Sequence, residues 1–366
     1  MRTTLEANIT MMNQGISIWR DRSPFTTESG FTFPHLDIAY KTWGTLNAAR
    51  DNAVLVFHAL TGHAAADEWF PGIFDNHGFV ATHRPFVLCM NVAGSCYGST
   101  GPLSVNPETG LPYLNDFPVL TIRDFVRMQQ RLVDHLGITG IQMTLGASMG
   151  GMQALEWAVM DNRVKRAVVI AVGKAHSAWQ IGISEAQRQA IYADPKWNNG
   201  KIDPLDGPAS GLAAARMMGM MLYRSRDSFE RRFGRNMQDG KPGVYQMESY
   251  LHHQGKKLVD RMNALTYVRL TQAMDSYDIG RGRGGVEAAL HHLDIPVLAV
   301  GISSDVLYPV SEQKELAALC KNGRYAELTS DNGHDAFLIE FDTLNTIFSG
   351  FLIETGFPLP DTFSQS

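Results

Sequence analysis

The segment Gly146-Ala147-Ser148-Met149-Gly150 holds a serine with glycines two residues before and two after it. That spacing suits a nucleophile on a sharp strand-to-helix turn, where side chains at the flanking positions would strike neighbouring backbone. A serine hydroxyl is a weak nucleophile at neutral pH, so it needs an imidazole to take its proton and an acid to orient that imidazole. On such a scaffold the chain order is serine, then carboxylate, then histidine. Asp305 follows the apolar run PVLAVGI through a short turn, and His334 lies in Asn332-Gly333-His334-Asp335; these are the expected acid and base. The oxyanion formed on attack requires two backbone donors. One is expected from the N–H of Met149, directly after the nucleophile, and the other from Leu60 in His58-Ala59-Leu60-Thr61-Gly62. His58 reads as a strand-end histidine bonded to backbone, and His252, His253, His291 and His292 as solvated or packing residues. The chemistry these groups can perform together is acyl transfer through a covalent acyl-serine.

Positioning them requires a sheet. The runs Ala53–His58 (AVLVFH), Phe86–Met90 (FVLCM) and Ile141–Leu145 (IQMTL) are short and apolar or β-branched, as buried strands are. Val164–Ala171 and Ile295–Ile302 have the same character. Between them Asp124–Leu136 places apolar residues three and four apart and ends before Gly137, which predicts an amphipathic helix. Met149–Val159 reads as a helix behind the serine, its N-terminal N–H groups aimed at the reacting carbonyl. The alternation predicts a parallel sheet with helical crossovers, an α/β fold. From about Ser177 to His292 strand-like runs give way to helix formers, methionines and arginines. The expected organisation is therefore a sheet domain of residues 1–176 and 293–366, split by a helical lid of residues 177–292. The tail from Phe357 to Ser366 reads as loose.

Composition excludes several classes. The 366 residues are 44% hydrophobic and carry 32 basic against 37 acidic side chains, so no basic field invites nucleic acid or anionic membrane. Cys89, Cys96 and Cys320 are an odd number without paired metal-type spacing, which predicts neither a disulfide framework nor a zinc site. Met1–Arg20 lacks the apolar run of a signal peptide, and no stretch is long and apolar enough to span a bilayer. The expectation is a soluble cytoplasmic protein acting on small molecules without a bound metal or cofactor.

Five blocks, HALTG, NVAGSCYGSTGP, GASMGGMQALEW, SYLHHQGKKLVDRMNALTYVRLTQAMD and GHDAFL, together resemble the homoserine O-acetyltransferase family across nearly the whole chain. The resemblance implies an α/β-hydrolase fold with a helical lid, a homodimer through lid helices, and acyl transfer from acyl-coenzyme A, the co-substrate, to an amino-acid hydroxyl on the way to methionine. It puts Ser148, Asp305 and His334 on the family's triad, and Arg216, Tyr223 and Asp335 on positions associated with the amino-acid acceptor. Physically, Arg216 offers a planar fork for a carboxylate and Asp335 a partner for an ammonium. The methionines around Arg216 (Met217, Met218, Met220, Met221) read as lid packing. Asp278-Ile279-Gly280-Arg281-Gly282-Arg283-Gly284 resembles a stretch of relatives that use other hydroxyl acceptors. Acetyl transfer to homoserine leads; serine as acceptor, succinyl-coenzyme A as donor, and esterase-type hydrolysis are the alternatives.

Overall fold

Strands that are apolar on every residue can be buried on both faces, which is the environment at the centre of a parallel sheet. In the computed structural model, which describes residues 15–204 and 206–358, those runs do form the central strands. The strands are β1 (Ser17–Asp21), β2 (Phe25–Thr26), β3 (Thr32–Phe33), β4 (Leu36–Trp43), β5 (Ala53–Phe57), β6 (Phe86–Met90), β7 (Ile141–Ala147), β8 (Ala167–Ile170), β9 (Val297–Ile302) and β10 (Gly323–Leu328). Eight of them make one sheet in the order β1-β4-β6-β5-β7-β8-β9-β10, and β2 with β3 makes a separate small hairpin. From β6 through β10 the neighbours are parallel, while β4 and β1 extend the sheet antiparallel at one edge. The chain runs from β5 to β6 on one side and then to β7 on the other. That reversal opens a crevice outside the carboxyl ends of β5 and β7, where ligands bind in such sheets.

Two helices support the nucleophile strand. The predicted amphipathic helix runs Ile122–His135 and starts on a capping box, in which the Thr121 hydroxyl accepts from the Asp124 N–H and Asp124 accepts in return from Thr121. Met149–Met160 is buried almost throughout, because it lies between the sheet and the first helix. Two polar pairs bolt the helices together: Gln129 donates to Gln153 at 2.8 Å, and the Trp157 indole donates to Gln129 at 2.7 Å.

After β8 the chain enters a helical insertion through a two-stranded neck. His176 N–H donates to the Tyr277 carbonyl at 2.8 Å, and Ile279 N–H donates to the Lys174 carbonyl at 3.1 Å, so departure and return are zipped together. Beyond the neck lie helices Ala178–Tyr192, Ala209–Tyr223, Arg226–Arg232, Gln246–Val259 and Ala264–Asp275. The short helix Val286–His291, after the return, packs against Val310–Leu319 in the sheet layer. The three cysteines are free and buried. Among the described residues no helix is long and apolar enough to cross a membrane.

The tail departs from expectation at its start. Phe357 is buried, edge-on to Phe79 and beneath the Arg166 guanidinium, so the chain is anchored there rather than loose. Residues 359–366 of that tail, and 1–14 of the N-terminal segment, lie outside the described residues.

Candidate active site

Ser148 occupies φ 55°, ψ −128°, as the residue preceding helix Met149–Met160. A non-glycine residue rarely adopts this backbone conformation, and the surroundings enforce it. A Cβ on Gly146 would stand 2.1 Å from the Gly150 carbonyl oxygen, and one on Gly150 would stand 2.2 Å from that of Phe57. The two glycines are thus required by backbone contact, not by conformation. The Ser148 N–H donates to the Ile170 carbonyl at the end of β8, which ties the turn to the next strand.

The sequence-predicted acid and base meet. Asp305 lies just past β9 and His334 in the loop after β10, both at the same carboxyl edge of the sheet as Ser148. His334 Nδ1 is 2.7 Å from Asp305 Oδ2, and both side chains are buried. The other oxygen, Oδ1, accepts from the N–H groups of Leu307 and Tyr308 at 2.8 and 2.9 Å. A carboxylate held on both oxygens has a fixed orientation and fixes the imidazole in turn. Burial works against protonating His334, but the charge and hydrogen bond of Asp305, with the charge of Asp335, outweigh it and raise the pKa. The ring is walled by Tyr308, stacked at 5.3 Å, by Phe337 edge-on at 5.7 Å, and by Tyr223 at 6.0 Å.

Leu60 follows β5 and Met149 follows Ser148, so both expected oxyanion donors border the crevice. Among the described residues neither N–H has a protein acceptor, as a donor reserved for an incoming oxygen requires. His58 is fully buried, with Nδ1 2.9 Å from the Ala59 carbonyl and Nε2 accepting from the Val92 N–H at 3.2 Å. Burial lowers its pKa to about 4, so it is a neutral strut of the loop, as read from the sequence.

The insertion brings Arg216 and Tyr223 to the same place on helix Ala209–Tyr223, with the guanidinium 5.4 Å over the Tyr223 ring. Among the described residues Arg216 forms no ion pair and no hydrogen bond, which leaves its donors available. Asp335 adjoins His334 and lies within the fields of Arg216 and Arg224; burial raises its pKa although His334 and these arginines pull it down. Gly333, at φ +68°, permits this approach, since a Cβ there would stand 2.6 Å from the backbone of Arg224 and Ser225. The methionines divide: Met220 is buried as expected, but Met218 and Met221 are 41% and 49% exposed and do not pack within the lid.

Two motifs resolve differently from their sequence appearance. Arg281 and Arg283 of the glycine-rich stretch are clamped by Glu28 and Glu156, with Arg123 joining both acids, so the stretch fastens the return chain to the helix behind Ser148. His252, His253, His291 and His292 are exposed, in keeping with a solvated reading. Sequence reasoning missed Tyr308 and Arg261. Tyr308 stands three residues after Asp305, in the turn whose N–H groups hold the carboxylate. Arg261 donates to the Thr61 carbonyl at 2.6 Å and the Tyr97 hydroxyl at 2.7 Å, bracing the Leu60 loop from the insertion. Only a long-range contact marks it. Among the described residues no group of three or more His, Cys, Asp or Glu is placed to hold a metal.

Residues 52–341 match the family model described as alpha/beta hydrolase fold. The homoserine O-acetyltransferase of Chlorobium chlorochromatii is 50% identical over 337 residues, covering 91% of this chain and 94% of its own. That of Chlorobium luteolum is 51% identical over 331 residues, covering 90% and 92%. Among solved structures, the homoserine O-acetyltransferase of Bacillus anthracis superposes with a TM-score of 0.84 at 26% identity, over 92% of this chain and 97% of that one. The structure of esterase E22 superposes with a TM-score of 0.82 at 24% identity, over 92% and 99%, a likeness of fold alone. With half of its residues shared with such enzymes over nearly its full described length, and an elbow serine beside an oriented Asp–His pair, this chain belongs to the homoserine O-acetyltransferase family of the α/β-hydrolase fold.

Proposed function

We propose that the protein transfers an acetyl group from acetyl-coenzyme A to the side-chain hydroxyl of L-homoserine, a step towards methionine. The observation that carries this is the buried 2.7 Å pair of His334 and Asp305 at the sheet edge that bears Ser148, in a chain half identical to homoserine O-acetyltransferases. His334 takes the Ser148 proton as the oxygen attacks the thioester, and the Leu60 and Met149 N–H groups meet the oxyanion. Collapse of that intermediate forms the acyl-serine and expels coenzyme A as a thiol, protonated by His334. Homoserine then enters, its carboxylate on Arg216 and its ammonium near Asp335, with Tyr223 closing the pocket against His334. His334 deprotonates the homoserine hydroxyl, which attacks the ester carbonyl and returns Ser148 with its proton.

Water competes for the acyl-serine, and the helices beyond the neck, from Ala178–Tyr192 to Ala264–Asp275, act as the lid that excludes it, a shorter lid than the expected 177–292. The exposed methionines of helix Ala209–Tyr223 support pairing of lid helices in a homodimer, and a biosynthetic step on small soluble substrates suits an enzyme of the cytoplasm. Coenzyme A release, followed with acetyl- or succinyl-coenzyme A and with homoserine, serine or no acceptor, tests the reading. The expected result is fast release only with acetyl-coenzyme A and homoserine together. Release indifferent to acceptor would make the protein a thioester hydrolase, and preference for serine or the succinyl donor would replace the substrates named.

A further inference from the structure

Beside the His334 loop lies a cavity of ≈ 420 Å³. One wall is formed by Arg224, Arg231 and Arg232, from the end of the Arg216 helix and the helix after it, and the other by Asp331, Asn332 and Glu340. Not all of these charges are free. Glu340 accepts from the Ser330 hydroxyl at 2.7 Å and the Asn332 amide at 2.9 Å, and Arg231 is paired with Asp331 at 3.1 Å. Arg224 and Arg232 have no carboxylate partner among the described residues. Arg224 has only a 3.5 Å contact with the Asn332 side-chain oxygen, and Arg232 lies over the rings of Phe233 and Tyr250 at 4.9 and 5.0 Å.

Two unpaired guanidinium groups at one cavity, in a protein of net charge −5, make a local site for an anion. Planar forks with parallel N–H donors match phosphate oxygens better than a point charge does. The cavity also lies within electrostatic reach of the acyl-transfer centre, two residues along the chain from His334 at Asn332. Asp335 feels both Arg216 and Arg224, and the Tyr250 hydroxyl lies in the fields of Arg224, Arg232 and Arg216. Arg224 thus acts on Asp335 of the acceptor pocket and on Tyr250, the ring that Arg232 covers. The Ser225 hydroxyl, bonded to the Asp331 carbonyl, holds the two walls together.

We propose that this cavity binds the phosphate groups at the nucleotide end of the acyl carrier, with Arg224 and Arg232 as the residues that grip them. The inference rests on the transfer reaction above, whose one polyphosphorylated component is coenzyme A. Binding energy gathered at this remote anionic end orients the thioester at Ser148.

Three donors or ligands separate the possibilities: acetyl-coenzyme A, acetyl-pantetheine, which lacks the nucleotide phosphates, and adenosine 3′,5′-bisphosphate, with inorganic phosphate as the small-anion control. The wild-type enzyme is expected to favour acetyl-coenzyme A over acetyl-pantetheine in kcat/KM, and adenosine 3′,5′-bisphosphate to compete with acetyl-coenzyme A far better than phosphate does. Arg232→Gln and Arg224→Gln are each expected to reduce that preference about tenfold and to weaken the bisphosphate by a similar factor. Arg232 is exposed, so its variant tests the site without disturbing the core. If both variants keep the wild-type preference, or phosphate competes as well as the bisphosphate, the cavity is not the nucleotide site and the transfer reaction stands. If the wild type releases no coenzyme A with any acceptor, the transfer reading itself fails and the inference falls with it.

Discussion

The Tyr308 ring lies nearly parallel to the His334 imidazole, at 5.3 Å between centroids and 25° between planes, while its backbone N–H holds Asp305 Oδ1 at 2.9 Å. One residue thus braces both members of the acid–base pair. Its hydroxyl is buried and has no hydrogen-bond partner among the described residues, so the ring face rather than the oxygen does the positioning. Tyr308→Phe is expected to keep near wild-type kcat. Tyr308→Leu, which keeps the backbone N–H but not the flat ring, is expected to lower kcat about tenfold or more with a smaller change in KM. Equal activity of both variants would remove Tyr308 from the positioning set.

The pH dependence follows from the sign of the His334 shift. The imidazole must be neutral to accept the serine proton, and its pKa is raised above the ordinary 6.5 despite burial, by Asp305 and Asp335. The acid limb of kcat/KM is therefore expected above that value, with activity rising as pH passes it. Asp335→Asn removes one of the raising charges and should move the limb to lower pH, besides raising KM for the acceptor. An unmoved limb would mean that another group titrates there.

The elbow glycines give a structural prediction. Gly150→Ala drives a Cβ to within 2.2 Å of the Phe57 carbonyl oxygen in the buried centre of the sheet, where neither backbone can give way. Loss of ~3 kcal/mol of stability, or failure to fold, is expected in denaturant titration. Gly182→Ala, where the added Cβ meets nothing within 4 Å, is the matched control and should fold normally.

His58 should affect stability before chemistry. His58→Leu leaves the Val92 N–H without its partner, and a cost of roughly 1–3 kcal/mol is expected for a buried orphan of this kind. Because the ring is neutral, with its pKa near 4, the pH profile of the surviving folded enzyme should match the wild type. A displaced profile would assign His58 a part in catalysis.

Much of this architecture was legible because the central strands are uniformly apolar. Phe86–Met90 was read with its observed bounds, and the other central strands within a few residues at either end. The edges were harder to see. β10, GRYAEL, buries only Leu328 and exposes Arg324 and Glu327, as an edge strand in contact with solvent can, and its apolar content is too low to stand out. β1 and β4 are held by long-range antiparallel pairing that no local pattern announces. At the site, Ser148, Asp305 and His334 were visible through chain order and neighbouring turns. Arg261, Arg224 and Arg232 were not, because a cation on a lid helix reads as a solvated charge until the fold brings it against Thr61 or the His334 loop.

The central claim is that Ser148 carries the acyl group between donor and acceptor. Intact-protein and peptide mass spectrometry after mixing the enzyme with acetyl-coenzyme A alone should reveal one acetyl group on the peptide containing Ser148. Homoserine should discharge it as O-acetylhomoserine, and Ser148→Ala should neither acquire the label nor turn over. An enzyme that transfers acetyl groups with no labelled Ser148 peptide, or a Ser148→Ala variant that still turns over, would contradict the claim.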